Sequence, residues 1–536
     1  MITRQSDMPT TESAVQEIAT GSSPLGEEDS HLEDGGAVYR STTSDIRAMK
    51  RLGRGQELVR HYRTLSMVSF VVVANQAWEL TLFQASPAII NGGLPSMVWS
   101  VLWSFVGYIP IILSMAEMAS MAPIAGAQYH WVSEFAPESC QRILSYVTGW
   151  TSTLAWQAGN ATGLFLVGTL VQCIILVNKP DYSFPNWHGT ILAIATIAIC
   201  VVVNIYGSKI VPYWQNAALG LSVAVYIAFL VVIWLRAPVA SSREVWTDWK
   251  NSGGWPSTGL AVMVGQLPAL TAFTGVDTAA HMSEEVRNAA TSIPQAMCAI
   301  FILNFCQIFL TTVTMAYHLP NVTEALHDPT TYPAIYMLRQ AMPVPWVTVM
   351  LTLIAVLLMV GNISYLVAVS RDLFAFARDN GLPFSPWLAK VDPISKSPTN
   401  AYITSGVFCA LLSLIYVGSS VAFYAIVSLN TVALLQCYIF SIGCVLWRRM
   451  HRPETLPEAP FSLGKYGIVT NATALVWGSW SFFWCFWPEE HPITAGGFNW
   501  SSPIFVITIT AATVYYYLGG RQVYHGPVTL VQNRKI

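Results

Sequence analysis

An all-α integral membrane protein is the fold class this sequence predicts, and three observations predict it. Hydrophobic residues make up 53% of the 536 and charged residues only 10%, less than half the charged share of an average soluble domain, roughly 25%. The apolar residues gather into windows of about 20, the length of helix that crosses a hydrocarbon core about 30 Å thick. Barrel strands of about 10 residues would leave a much shorter repeat. Twelve transmembrane helices are expected, at 66–87, 95–121, 142–175, 188–206, 212–235, 259–282, 294–318, 346–371, 401–417, 420–447, 466–487 and 502–519.

Charge then orients the chain. Twelve spans put both termini on one side, and of the 27 Lys and Arg only Lys179, Arg236, Arg243, Lys250 and Arg339 fall in loops of the other side. Cytosolic termini follow from the positive-inside rule. Residues 1–62, acidic and then basic, read as a disordered cytosolic tail, 63–520 as the membrane domain and 521–536 as a second cytosolic tail. A signal peptide is not expected, because no apolar stretch precedes the first span. The nine cysteines lie singly and without CxxC, so neither a disulfide framework nor a metal site is expected. No cofactor is implied; a net charge of −2 says little about partners, since the positive charge is sorted by loop and not by patch, and no nucleic-acid partner is expected. The sequons at Asn321 and Asn499 fall in loops opposite the termini and are the expected glycosylation sites.

Two spans are interrupted. The sixth runs through PALTAFTGVDTAAHMSEEVRNAATSIP, Pro268 to Pro294, where Thr271, Phe273, Thr274, Gly275 and Asp277 combine poor helix formers, a glycine and an acid. A break near Gly275 is expected. Non-helical backbone survives inside a bilayer only where protein or a water-filled cavity satisfies it, so the break implies a polar pocket. The first span carries Asn75, Gln76, Trp78 and Glu79 at its centre, which predicts a second break over Ala74–Glu79. These spans lie five apart, and an odd unit repeated must be inverted in the membrane. Paired interruptions of this kind point to an inverted-repeat secondary transporter, with spans eleven and twelve as additions.

The candidate site residues each carry two readings. Glu79 and Asp277, with the rings of Trp78, Phe273 and Trp156, suit a substrate bearing a positive nitrogen. Asn75 and Gln76 also read as interhelical hydrogen-bonding groups, Asp277 as a helix cap, and the rings as packing. Asp277, His281, Glu284 and Glu285 recur at helical spacing, which suits a proton path shared with Glu79 or an interfacial polar helix end. Glu117 after span two, Glu284, Glu285 and Arg371 after span eight are candidates for a gate latch on the terminal side, and Glu117 reads equally as a salt-bridged helix end. An enzyme is not expected, since the ten histidines show no HxxH, HxxxH or HExxH spacing.

Three blocks, AEMASMAPIAGAQYHWV, FTGVDTAAHMSEEVRNAATSIP and SRDLFAFARDNGLP, carry a resemblance over residues 60–520. The chain resembles the amino acid–polyamine–organocation transporter superfamily, most closely its fungal amino acid/choline permeases, the group that contains GABA and choline permeases. That resemblance implies a LeuT-type 5+5 inverted repeat plus two helices, alternating access, and a substrate of the amino acid, GABA, choline or polyamine class. By analogy it also implies a proton as coupling ion and a plasma-membrane location. The family's unwound segments match Ala74–Glu79 and Thr271–Asp277. Many bacterial relatives have a glycine-rich turn where this chain has ANQAWE, so the amides of Asn75 and Gln76 are expected to donate in place of bare backbone. A transporter-like nutrient receptor and an exporter of a nitrogen-containing metabolite share the same motifs.

Overall fold

A computed structural model describes residues 40–207, 211–393, 397–418, 422–494 and 497–531, with side chains at 211–213, 418 and 422–427 outside the description. In chain order its main helices are α1 (Thr43–Arg51), α2 (Thr64–Asn75), α3 (Ala77–Phe83), α4 (Gly93–Met121), α5 (Ala127–Phe135), α6 (Gln141–Asn178) and α7 (Asn186–Gly207). There follow α8 (Val211–Arg236), α9 (Thr258–Gly265), α10 (Leu267–Ala272), α11 (Thr278–His281), α12 (Ala289–Tyr317) and α13 (Val344–Arg378). The last are α14 (Thr399–Gly418), α15 (Ala422–His451), α16 (Gly467–Trp484) and α17 (Ser501–Tyr515). Among the described residues 10 segments are long and apolar enough to cross a bilayer. The other two expected spans fall on the broken run α9–α11 and on the 18-residue α16, neither of which is among those ten.

Both breaks fall where the polar residues stand. Gln76 takes a left-handed conformation, φ 50°, and ends α2. A left-handed L-residue costs roughly 1–2 kcal/mol, and Gln76 offsets this by donating its amide Nε2 to Leu358 O at 3.1 Å. In the sixth span Gly275 has φ 85°, which glycine adopts without a Cβ penalty. Thr274 N then bonds Thr271 O and Thr278 N bonds Gly275 O, so the chain turns over between α10 and α11.

Helices α2, α4, α10 and α12 pack as one group, while α6, α7, α13 and α14 pack as another, and the two groups meet through α2 on α13. The 38-residue α6 is buried along most of its length and serves as a central strut. At the face opposite the termini, β1 (Asn91–Gly92) pairs antiparallel with β2 (Lys250–Asn251), tying two loops together.

At the terminal face the described part of residues 1–62 differs from the disordered tail expected there, and the described part of the second tail is packed as well. Residues 1–39 and 532–536 lie outside the described residues, but from residue 40 the N-terminal segment is folded. Thr42 caps α1 in a capping box with Asp45. Leu52, Leu58 and Tyr62 are buried, and Tyr62 joins a parallel bridge to Val286. Tyr524 and Val528 are likewise buried. Val528 N donates to Ser133 Oγ of α5 at 3.1 Å, and the Tyr524 hydroxyl lies 2.5 Å from Ser145 Oγ of α6. The basic composition of 40–63 concealed an apolar face that docks on the bundle.

Candidate functional site

A cavity of about 110 Å³ lies where the two breaks meet. Asn75 and Gln76 line it from the first break, and Thr271, Thr274 and Gly275 from the second. Asn362 and Tyr365 of α13 and Asn430 of α15 complete its polar wall. Among the described residues no charged side chain lines it. Asn75 Nδ2, Gln76 Oε1 and Asn430 Oδ1 are buried without a partner, so the wall holds unmet hydrogen-bonding capacity of both signs. Each break also presents a helix C-terminus and a helix N-terminus, with carbonyls at one and N–H groups at the other. Glycines of the strut let the wall close in: a Cβ at Gly163 would come within 2.2 Å of Asn362 Oδ1, and one at Gly159 within 2.5 Å of the Tyr365 hydroxyl.

Helical geometry decides which expected residues reach this cavity. On α3 the wall residues are Ala77, Leu80, Thr81 and, just beyond, Gln84, one face at spacings of three, four and seven. Trp78 and Glu79 therefore turn away, toward α8. Trp78 Nε1 donates to Ser222 Oγ at 3.1 Å, Ser222 Oγ donates to Glu79 Oε1 at 3.1 Å, and the indole packs 5.0 Å from the Tyr226 ring. Phe273 joins a ring cluster with Phe105, Tyr108, Phe301 and Phe305. Trp156 stands behind the wall, 5.3 Å from Tyr365 and 4.8 Å from His281.

Asp277 does not line the cavity; it anchors a buried acid network beneath it. Tyr438 donates its hydroxyl to Oδ1 at 2.6 Å and Gln128 its Nε2 to Oδ2 at 2.6 Å. His281 sits between two carboxylates, Nε2 at 3.9 Å from Asp277 Oδ2 and Nδ1 at 3.7 Å from Asp372 Oδ1. Its Nδ1 lies 2.9 Å from Ala125 O, which can only accept, so Nδ1 carries a hydrogen, while Nε2 has no hydrogen-bond partner among the described residues. Ser152 and Thr153 donate to Asp372 at 2.7 and 3.1 Å. The eighth expected span, 346–371, stops one residue short of Asp372. Because α13 runs on to Arg378, Asp372 lies about 9 Å deeper than the helix end at 1.5 Å per residue.

Between this network and the terminal face stands a layer of ion pairs. Glu285 accepts from Arg371 at 2.7 Å, and Glu284 takes two bonds from Arg378 at 2.7 and 3.0 Å. The N-terminal segment reinforces the layer: Arg54 pairs with Asp379, and Arg60 donates to Ser283 O at 2.9 Å. Asp45 accepts from the backbone of Asn288 and Ala289 at 2.9 and 3.0 Å, at the start of α12. Burial works against ionisation of Asp45, yet Arg60, Thr42 and these N–H groups hold its carboxyl below the usual carboxylate value. Glu117 stands apart from this layer. It pairs with Arg449 and accepts from Leu463 N at 2.8 Å, anchoring the loop after α15. Of the two sequons, Asn321 is exposed, whereas the Asn499 amide is committed to Cys485 O and Trp487 O at 2.9 and 3.1 Å.

Comparison with known proteins agrees with this architecture. The family model described as "Amino acid permease" matches residues 65–511. The chain is 25% identical over 498 residues to amino-acid permease 2 of Neurospora crassa, covering 91% of this chain and 90% of that one. It is 25% identical over 443 residues to a choline transporter of Saccharomyces cerevisiae, with 82% and 77% covered. An uncharacterized amino-acid permease of Schizosaccharomyces pombe is 24% identical over 503 residues, with 93% and 92% covered. A helical membrane bundle broken at its first and sixth spans, matched by the family model over most of its length, is a membrane transporter, and the chain belongs to the amino acid permease family of the amino acid–polyamine–organocation superfamily.

Proposed function

We propose that the chain moves a small zwitterionic amino acid across the plasma membrane by alternating access, coupled to protons, with both termini cytosolic. The observation that carries this is the uncharged cavity at the junction of two broken helices. An ammonium group finds carbonyl ends and amide oxygens there, and a carboxylate finds helix N-termini and Asn75 Nδ2, so both ends of a zwitterion are matched. A lone cation would meet no counter-charge in this wall. At about 110 Å³ the cavity is smaller than one of roughly 150 Å³ that accepts benzene, which favours a compact substrate over a polyamine.

The Asp277–His281–Asp372 network supports proton coupling, since two carboxylates flank an imidazole whose Nε2 is unpartnered and a proton arriving there would bridge to Asp277. The ion-pair layer supports alternating access: it seals the terminal face while the cavity wall extends toward the other, through Ala85 and Ala88. Choline is a second reading, favoured by the name of the yeast relative, although it carries no carboxylate for the N–H groups.

A thermal-shift panel of amino acids, GABA, choline and polyamines on purified protein identifies the ligand, because a ligand of the native state raises apparent stability. Uptake of that ligand into liposomes under a pH gradient then tests transport. A Cβ at Gly275 would meet only Asn75 Oδ1, at 3.6 Å, so Gly275→Leu fills the cavity and forbids the turn without striking the scaffold. Uptake is expected to vanish while monodisperse protein remains. Wild-type uptake by that variant would refute the site.

A further inference from the structure

A second cavity, of about 480 Å³, opens at the face opposite the termini. Its wall and that of the inner cavity are separated by a thin septum: Pro87 and Leu267 line the second cavity, and their chain neighbours Ala88 and Pro268 line the first. The two differ in chemistry. The inner wall is uncharged, whereas the second is ringed by Phe184, Tyr332, Tyr416, Trp487 and Phe498 and carries two adjacent carboxylates, Glu489 and Glu490.

The acids are held in place. Glu489 O accepts from Asn91 Nδ2 at 2.7 Å and from Trp255 Nε1 at 3.4 Å, and His491 N donates to Gly253 O at 2.7 Å, so three segments clamp this turn. Yet neither carboxylate makes a hydrogen bond or ion pair among the described residues. Burial, with the charge of Glu490 beside it, pushes the Glu489 carboxyl up to about 7, as befits an acid without a counter-cation. Tyr416, 7% exposed, lines the chamber with a hydroxyl that has no partner among the described residues.

We propose that this chamber binds an organic ammonium ion, with Glu489 and Glu490 as counter-charge and the rings of Trp487, Tyr416 and Phe184 against its alkyl groups. Aromatic faces and carboxylates together recognise such a cation, which a hydrated metal ion could not exploit in the same way. The site stands on its own residues; only its place on an uptake route rests on the transport direction proposed above. On that route the chamber collects the ammonium end of a substrate one septum away from the cavity that reads the whole molecule.

Equilibrium binding of radiolabelled tetraethylammonium to the purified full-length protein tests this, because that ion is too bulky for the inner cavity and its binding does not depend on transport. Saturable binding of about one ion per chain is expected, weakened at least about tenfold in Glu489→Gln/Glu490→Gln and unchanged in Gly275→Leu. Glu490 is exposed, so Glu490→Gln alone carries little folding risk and is expected to weaken binding about threefold. Absence of saturable binding to the native chain overturns the proposal. So does binding indifferent to both glutamine variants, or binding lost in Gly275→Leu, which would put the ion in the inner cavity.

Discussion

At the first break Gln76 turns left-handed and gives its amide to a carbonyl of α13, and the nearest acid, Glu79, faces α8 through one serine. At the second break Gly275 turns left-handed instead, and the acid two residues on, Asp277, is wired to Tyr438, Gln128, His281 and, through the imidazole, Asp372. The backbone solution is shared, as an inverted repeat requires, but the electrostatics are not. One break offers the cavity neutral amides, while the other keeps its charge behind the wall. Both breaks line the cavity, but only the second has a buried acid–imidazole network behind it; on the function proposed above, that network is where a proton would be held, apart from the wall that meets the substrate.

The most damaging test of that division is Asp277→Asn, with Asp372→Asn beside it. Removing one partner from a buried charged network costs roughly 3–5 kcal/mol, so pH-driven accumulation is expected to fall at least about 100-fold. Counterflow exchange, which needs no net proton movement, should survive in Asp372→Asn, whose side chain lies outside the cavity wall. Equal loss of both activities would mean that the network shapes the site and does not couple it.

A smaller effect is expected at the seal. Arg378→Ala leaves Glu284 buried without its two strongest bonds, which biases the bundle away from the closed terminal face. A shift of about 1.4 kcal/mol would raise the opened population tenfold. Labelling of a Ser283→Cys reporter by an impermeant maleimide, applied from the terminal side, reads that population. No change in labelling rate would show that the N-terminal segment seals the face without the pair.

Much of this was legible in the sequence. The break at Gly275 announced itself because a glycine, two threonines and an acid interrupt an apolar run, and Asn75 and Gln76 did the same for the first. What periodicity could not supply was the facing of side chains after a break. Once Gln76 turns left-handed, the helical phase of α3 restarts, and this sends Glu79 and Trp78 away from the cavity although they adjoin it in sequence. Asn362, Tyr365 and Asn430 were missed because each is a lone polar residue in an otherwise regular span, with no local signal of the pocket. Asp372 fell just outside the expected span of 346–371 because hydropathy falls off before the helix ends at Arg378. The N-terminal segment was concealed by composition: Arg51, Arg54 and Arg60 are spent on carbonyls and carboxylates of the bundle, while Arg40, Arg47 and Arg63 stay exposed.

That segment makes a pH prediction smaller still. The Asp45 carboxyl is held below its ordinary value in the fold, so its contribution is fully present above the unfolded value of about 3.9 and is lost as pH falls through the folded one. Docking of residues 40–62 should therefore hold at pH 7 and loosen below about pH 4, with limited proteolysis as the readout. Asp45→Asn should abolish that dependence. Cleavage equally slow at pH 7 and pH 3 in the native chain would remove Asp45 from the seal.

Glu79→Gln is expected to have the smallest effect, and it sharpens the comparison most. An acid at membrane depth next to a helix break invites a substrate role, and if Glu79 held the ammonium group its neutralisation would raise KM at least about tenfold, roughly 1.4 kcal/mol. The geometry argues otherwise. Glu79 Oε1 accepts one hydrogen bond from Ser222, on the face of α3 turned from the cavity, and a glutamine carbonyl oxygen can accept the same bond from the same hydroxyl. Uptake kinetics should therefore change less than about threefold, with the pH dependence intact. Pairing Glu79→Ala with Ser222→Ala separates the local bond from any wider role, because a purely local bond makes the second substitution nearly silent once the first has removed it. A tenfold rise in KM at unchanged expression would bring Glu79 to the substrate in some state of the cycle. The first break would then carry charge as well, and the separation of the proton-holding network from the wall that meets the substrate would fail.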